Sequence, residues 1–206
     1  MKPRQLPRGT WSKPIGFFYS IKNDARFWVE SHLERDALLV LEFDGDVEAY
    51  RPQPLSFCYK TEHGKPARYT PDYLCKSLNN NQLIFREVKP ADKVTDDLRR
   101  KVAWINRHVE KNYGARLEII TDNEIRVGSK IENLDLLYPY KRVNLSVVYE
   151  ADILPILPRE ISFRELIEKT SKAGVREVIP YALLAHGILK FDIESKLNDE
   201  TRLVIA

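Results

Sequence analysis

The chain has 206 residues, 31% charged and 43% hydrophobic, enough for one large domain or two small ones and unlike a disordered tail. It holds 33 Lys+Arg against 30 Asp+Glu, a net charge of +3, and no apolar run of about 18 residues, which excludes a membrane-spanning helix. Two cysteines, Cys58 and Cys75, and four histidines lack structural-zinc spacing, and a basic, Pro-rich start without an apolar core is no secretory signal, so a cytoplasmic protein is expected.

The whole charge excess sits at one end. Residues 1–20 carry Lys2, Arg4, Arg8 and Lys13 and no acid, and 21–150 balance 21 bases against 21 acids. Residues 151–206 hold 8 bases and 9 acids. Pro3, Pro7 and Pro14 block regular structure, so residues 1–22 read as a basic arm that contacts DNA or a partner, or lies solvated on its own domain. A helix capped by Asn23 or Asp24 is expected to run to about residue 43, with Val29, Leu33, Ala37, Val40 and Leu41 as its apolar stripe. Alternating segments at 47–51, 55–60, 67–76 and 82–89, separated by turn formers, predict a strand meander.

A second helix is predicted over 95–112, with Thr95 as N-cap and Gly114 as its stop. A strand at 117–121 and a helix at 131–138 complete a mixed α/β domain over residues 23–150. After a Pro-rich linker at 152–158, Ser162 and Glu165 form a capping box that opens a helix. A helical pattern at 175–184 breaks at Pro180, and strands follow at 188–193 and 202–205. Residues 151–206 thus outline a small winged-helix-like module.

One constellation carries chemistry. Tyr69-Thr70-Pro71-Asp72 lies on one strand and Glu87-Val88-Lys89 ends the next. Residues i and i+2 of a strand share a face, so Glu87 and Lys89 project together and a hairpin partner brings Asp72 beside them. Two carboxylates bind Mg²⁺, and a lysine orients or deprotonates a water and offsets charge: the parts of metal-assisted phosphodiester hydrolysis. The plain alternative is a surface strand pair with a cross-strand ion pair. Glu34, at the edge of the first helix's apolar stripe, needs a partner, a metal or an arginine, with Glu30 competing for the place. On the second helix Arg100, Arg107 and Lys111 align with Trp104 and His108 between them; this stripe suits a nucleic-acid backbone or is a solvated helix face.

These residues resemble the TnsA family, the endonuclease subunit of heteromeric transposases. The resemblance runs from about residue 28 to 204. It rests on Leu33-Glu34 with Leu41-Glu42, on Thr70-Pro71-Asp72-Tyr73-Leu74, on Phe85-Arg86-Glu87-Val88-Lys89-Pro90, on Ile120-Thr121-Asp122-Asn123-Glu124-Ile125, and on Gly187-Ile188-Leu189-Lys190-Phe191-Asp192. It implies a restriction-endonuclease-like mixed sheet flanked by helices. It also implies Glu34, Asp72, Glu87 and Lys89 as catalytic residues, the three acids among them binding Mg²⁺, with Mn²⁺ as substitute. The reaction implied is cleavage of one (5′) strand of double-stranded DNA at each transposon end. A DDE transposase, TnsB, cuts and joins the other strand, and an AAA+ ATPase, TnsC, regulates both. The tail module's net −1 favours a protein-contact role for it, and the neutral core predicts weak DNA affinity without partners. A stand-alone restriction or repair nuclease and a non-catalytic DNA-binding adaptor are the competing readings.

Overall fold

A computed structural model describes residues 16–206 apart from 55, 147 and 149–153. A four-stranded mixed sheet lies at the centre, with strand order β3 (Val47–Pro52), β6 (Tyr73–Ser77), β7 (Leu83–Lys89), β8 (Arg116–Thr121). The β3–β6 and β6–β7 pairs are antiparallel and β7–β8 is parallel. The parallel step follows from the chain: helix α2 (Asp96–Tyr113) supplies the crossover that such a connection needs.

The sheet is covered on both faces. On one, α1 (His32–Phe43) packs Ala37, Leu38, Leu39 and Leu41 against Tyr50, Tyr73, Cys75, Ile84 and Val88. On the other, Val102, Ile105 and Val109 of α2 meet Phe85 and Leu117. The hairpin of β4 (Phe57–Lys60) and β5 (Pro66–Tyr69) joins this second layer through Phe57, Tyr59 and Tyr69. Helix α2 begins and ends as its sequence dictates. The Thr95 side chain accepts the Leu98 N–H, and Gly114 closes the helix at φ 61°, a left-handed conformation that glycine adopts without a Cβ penalty.

The first helix starts later than its apolar spacing suggests. Residues 16–29 form a hairpin of β1 (Gly16–Ser20) and β2 (Ala25–Val29), with Asp24 at φ 47° in the turn. Asn23 and Asp24 are turn residues here, and Ser31 caps α1 by accepting the Glu34 N–H. The described part of the expected arm, residues 16–22, is therefore built into the fold. Lys22 binds it there: its ammonium donates to the carbonyls of Leu41, Asp44 and Val47 at 2.9, 2.6 and 2.6 Å, a positive charge at the C-terminal end of α1. Buried Glu42 completes the joint by accepting Ser20 Oγ at 2.8 Å and the Lys22 N–H at 2.6 Å. The strand expected at 67–76 is two strands, β5 and β6, parted at Thr70-Pro71-Asp72 because proline cannot donate to a ladder.

After β8 come two short helices, α3 (Asp122–Ile125) and α4 (Lys130–Leu137), the first opened by a Thr121/Glu124 capping box. The C-terminal part runs β9 (Glu160–Ser162), α5 (Phe163–Lys172), α6 (Ile179–Ala185), β10 (Leu189–Lys190), β11 (Arg202–Ile205), with sheet order β10-β11-β9. The Ser162/Glu165 capping box forms as expected. Pro180 opens the first turn of α6 instead of interrupting a longer helix, as its fixed φ favours.

The C-terminal part is stitched to the central sheet layer. Asn133 of α4, 1% exposed, donates to the carbonyls of Ile193 and Ser195 at 2.8 Å each and accepts the Leu197 N–H at 3.0 Å. Nearby, the Ser129 N–H donates to the Glu194 carbonyl at 2.8 Å. Gly128, at φ 51°, lies so close to that carbonyl that a Cβ there would overlap it.

Candidate active site

The β6–β7 register pairs Tyr73 with Arg86, so Asp72, one residue before β6, falls beside Glu87. Asp72 Oδ2 accepts the Val88 N–H at 2.8 Å, which fixes its carboxylate against the end of β7. Lys89 Nζ lies 2.8 Å from Glu87 Oε1 and 3.4 Å from Asp72 Oδ2. The i, i+2 rule therefore gathers Asp72, Glu87 and Lys89 as the sequence predicts.

Tyr69 is the residue that sequence reasoning left without a role. Its hydroxyl donates to Glu87 Oε2 at 2.6 Å. Glu87, 8% exposed, is thus gripped on one oxygen by Lys89 and on the other by Tyr69. The site end of α2 adds Lys101, whose ammonium lies 5.9 Å from the centroid of the Tyr69 ring. A tyrosine two residues before a Pro-Asp pair carries no signal of this contact; only the β4–β5 hairpin folding onto the sheet creates it.

Burial, and then the charge of Glu87, raise the Asp72 carboxyl above the ordinary carboxylate range; Lys89 and the Val88 N–H offset this only in part. Burial works against the Lys89 ammonium, but its contacts with Glu87 and Asp72 prevail and hold it above its usual value. Burial and the bond to Glu87 likewise raise the Tyr69 phenol, which stays a donor.

Glu34 does not join the cluster. Its carboxylate accepts the Glu30 N–H at 2.9 Å, closing the start of α1. The physical reason is facial. Helix α1 packs on the sheet face that carries Ile84 and Val88, whereas Glu87 and Lys89 share the opposite face with Phe85. Tyr73 is the link between them: its hydroxyl donates to the Glu34 carbonyl at 3.0 Å. Among the described residues no three His, Cys, Asp or Glu side chains form a metal-sized group, so the expected Glu34–Asp72–Glu87 set is assembled only as the Asp72–Glu87 pair.

The predicted basic stripe divides. Arg100 is ion-paired with Asp97, while Arg107 lies 5.9 Å from the Trp104 ring centroid and lines a groove with Lys111. Lys2, Arg4, Arg8 and Lys13 lie outside the described residues. Among the described residues, no helix is long and apolar enough to cross a membrane.

A comparison with curated proteins returns no match. Residues 44–122, which run from the end of α1 through β8 and contain Asp72, Glu87 and Lys89, match the family model of the TnsA-like endonuclease N-terminal domain. This match, over less than half of the chain and on a mixed, helix-flanked sheet, supports an assignment to the TnsA family.

Proposed function

We propose that the chain is a Mg²⁺-dependent DNA endonuclease, one subunit of a heteromeric transposase. One observation carries the reading: Asp72, Glu87 and Lys89 converge at the ends of two paired strands inside the segment that matches the endonuclease family. The donor set suits the ion. Two carboxylates offer hard oxygens, as Mg²⁺ prefers, and the burial and the Glu87 charge that together raise Asp72 are what an added cation offsets. Asp72 and Glu87 would hold it, and Glu34, which accepts the Glu30 N–H through Oε2 alone, would contribute only if α1 brought its carboxylate to the pair; Mn²⁺ would serve as substitute. When bound, the ion supplies charge to the scissile phosphate and lowers the pKa of a water.

The side chains of the site do the rest. Lys89, held protonated by its two carboxylate neighbours, presents a positive charge where the phosphate gains negative charge; the same pairing disfavours it as a general base. Tyr69 fixes the orientation of Glu87. The domain implies a DNA substrate and a Tn7-type transposition system. Within it, the chain would cut one (5′) strand at each transposon end, while TnsB cuts and joins the other strand and TnsC regulates both. The β9–α5–α6–β10–β11 order with β11 central supports the winged-helix-like reading of the tail, and its net −1 favours contact with a protein partner. The test is an assembly carrying Asp72→Ala: one strand's cut should vanish while the other persists. Continued cutting of both strands refutes the assignment. Robust plasmid cleavage by the isolated chain in Mg²⁺ would favour a stand-alone nuclease instead.

A further inference from the structure

Beside the active-site layer, the β4–β5 hairpin and the solvent side of α2 enclose an open groove of about 890 Å³. Lys60 stands on the hairpin wall; Trp104, Arg107, His108 and Lys111 form the helix wall. No acidic residue lines it. Lys60, Arg107 and Lys111 make no ion pair among the described residues, in contrast to Arg100, which is tied to Asp97 in the adjoining groove that Glu62 also lines. The walls are braced against each other: the Trp104 indole N–H donates to the Lys60 carbonyl at 2.7 Å. The ring is thereby fixed, with the Arg107 guanidinium near its face.

Three cations without an ion pair among the described residues, around a fixed aromatic in a groove that no acid lines, complement a polyanion. Arg107 and Lys111 are one helical turn apart, roughly 6 Å along the axis, and Lys60 faces them from the hairpin. We infer that this groove binds the sugar–phosphate backbone of duplex DNA, with Lys60, Arg107 and Lys111 as phosphate contacts and Trp104 as the brace that holds the two walls. The inference rests on the endonuclease reading for its substrate class and adds the route by which that substrate lies across the protein. Tyr69 and Lys101 tie the site to the same hairpin and helix, so a duplex held here is anchored next to Asp72 and Glu87.

The experiment measures binding of the full chain to a labelled duplex of random sequence, in EDTA, over a range of salt. Wild type is compared with Lys60→Gln/Arg107→Gln/Lys111→Gln, with Arg100→Gln, and with Asp72→Ala; circular dichroism confirms that each is folded. Each lost phosphate contact lowers the slope of log affinity against log salt by about 0.9. The triple variant should therefore lose about 2 to 3 in slope and bind about tenfold or more weakly at about 50 mM salt. Arg100→Gln should stay within about twofold of wild type, since its charge is already neutralised. A wild-type slope in the triple variant, or no binding by the wild-type chain at that salt, overturns the inference, as does a loss in Arg100→Gln equal to that of the triple. Asp72→Ala keeps the two readings apart. Full binding in EDTA, together with loss of one strand's cut when the Asp72→Ala chain is assembled with its partners in Mg²⁺, supports both, whereas full binding with both cuts intact in that assembly refutes the nuclease assignment and leaves the groove standing.

Discussion

Tyr69 reaches across from the β4–β5 hairpin to donate its phenolic proton to Glu87 Oε2 at 2.6 Å, while Lys89 holds the other oxygen of the same carboxylate at 2.8 Å. Glu87 is therefore fixed from two directions by groups on different elements. Tyr69→Phe keeps the ring among Phe57 and Phe85 and removes only the donor. The buried acceptor left behind should cost about 1–3 kcal/mol in urea unfolding. DNA cleavage should fall about 10-fold or more, as when the support of a metal-binding carboxylate is lost. Unchanged cleavage would show that Lys89 alone orients Glu87.

Asp72 makes a pH-dependent prediction. Its folded pKa lies above that of an unfolded aspartate, about 3.9, because burial and Glu87 disfavour its charge. Its contribution to stability is therefore complete below about pH 4 and lost as pH rises through the folded value. Asp72→Asn should raise the Tm of the metal-free chain at neutral pH and flatten this part of its pH dependence. The same substitution should abolish both cleavage and the rise in Tm that bound Mg²⁺ is expected to give the wild type. A lower neutral-pH Tm in the variant would mean that the Asp72 carboxylate is a net stabiliser.

The observed role of Glu34, accepting the Glu30 N–H, can be separated from the metal-binding role proposed for it. Glutamine at this position can still accept the Glu30 N–H that Glu34 accepts at 2.9 Å, so Glu34→Gln should leave stability within about 0.5 kcal/mol of wild type. If the carboxylate also serves as a metal ligand, calorimetry will show Mg²⁺ or Mn²⁺ affinity reduced about tenfold. Wild-type affinity would assign Glu34 to the start of α1 alone.

At Gly128 the prediction is purely structural. A methyl group there meets the Glu194 carbonyl, and the backbone sits at φ 51°. Gly128→Ala should destabilise the chain by about 1–3 kcal/mol, read by thermal and chemical melts. A wild-type Tm would mean that the 128–129 and 194 segments separate at little cost.

Sequence patterns revealed the parts of this fold that rest on local rules. Thr95 and Gly114 mark the ends of α2, and Ser162 with Glu165 announces α5, because caps satisfy backbone groups a few residues away. The cluster of Asp72, Glu87 and Lys89 was legible for the same reason: strand alternation and one hairpin register place it. What local rules missed depends on distant partners. Asn23 and Asp24 have the chemistry of a helix cap and of a turn alike, and it is the Lys22 and Glu42 contacts to α1 that accompany the hairpin. The apolar alternation of 67–76 hid the break at Pro71. Tyr69 gains its role from residues 18 positions away, and the facial separation of Glu34 from Glu87 becomes visible only once α1 is seated on the sheet.

The triple grip of Asn133 on residues 193–197 has a mechanical consequence. Detaching the tail would break all three bonds at once and uncover Asn133, now 1% exposed, so the tail does not leave the central sheet layer cheaply. The two parts should melt in one transition. A partner that seizes the tail would then hold no tethered, freely swivelling enzyme. It would set the angle at which the cutting edge meets the helix axis of the DNA, the way a handle sets a blade.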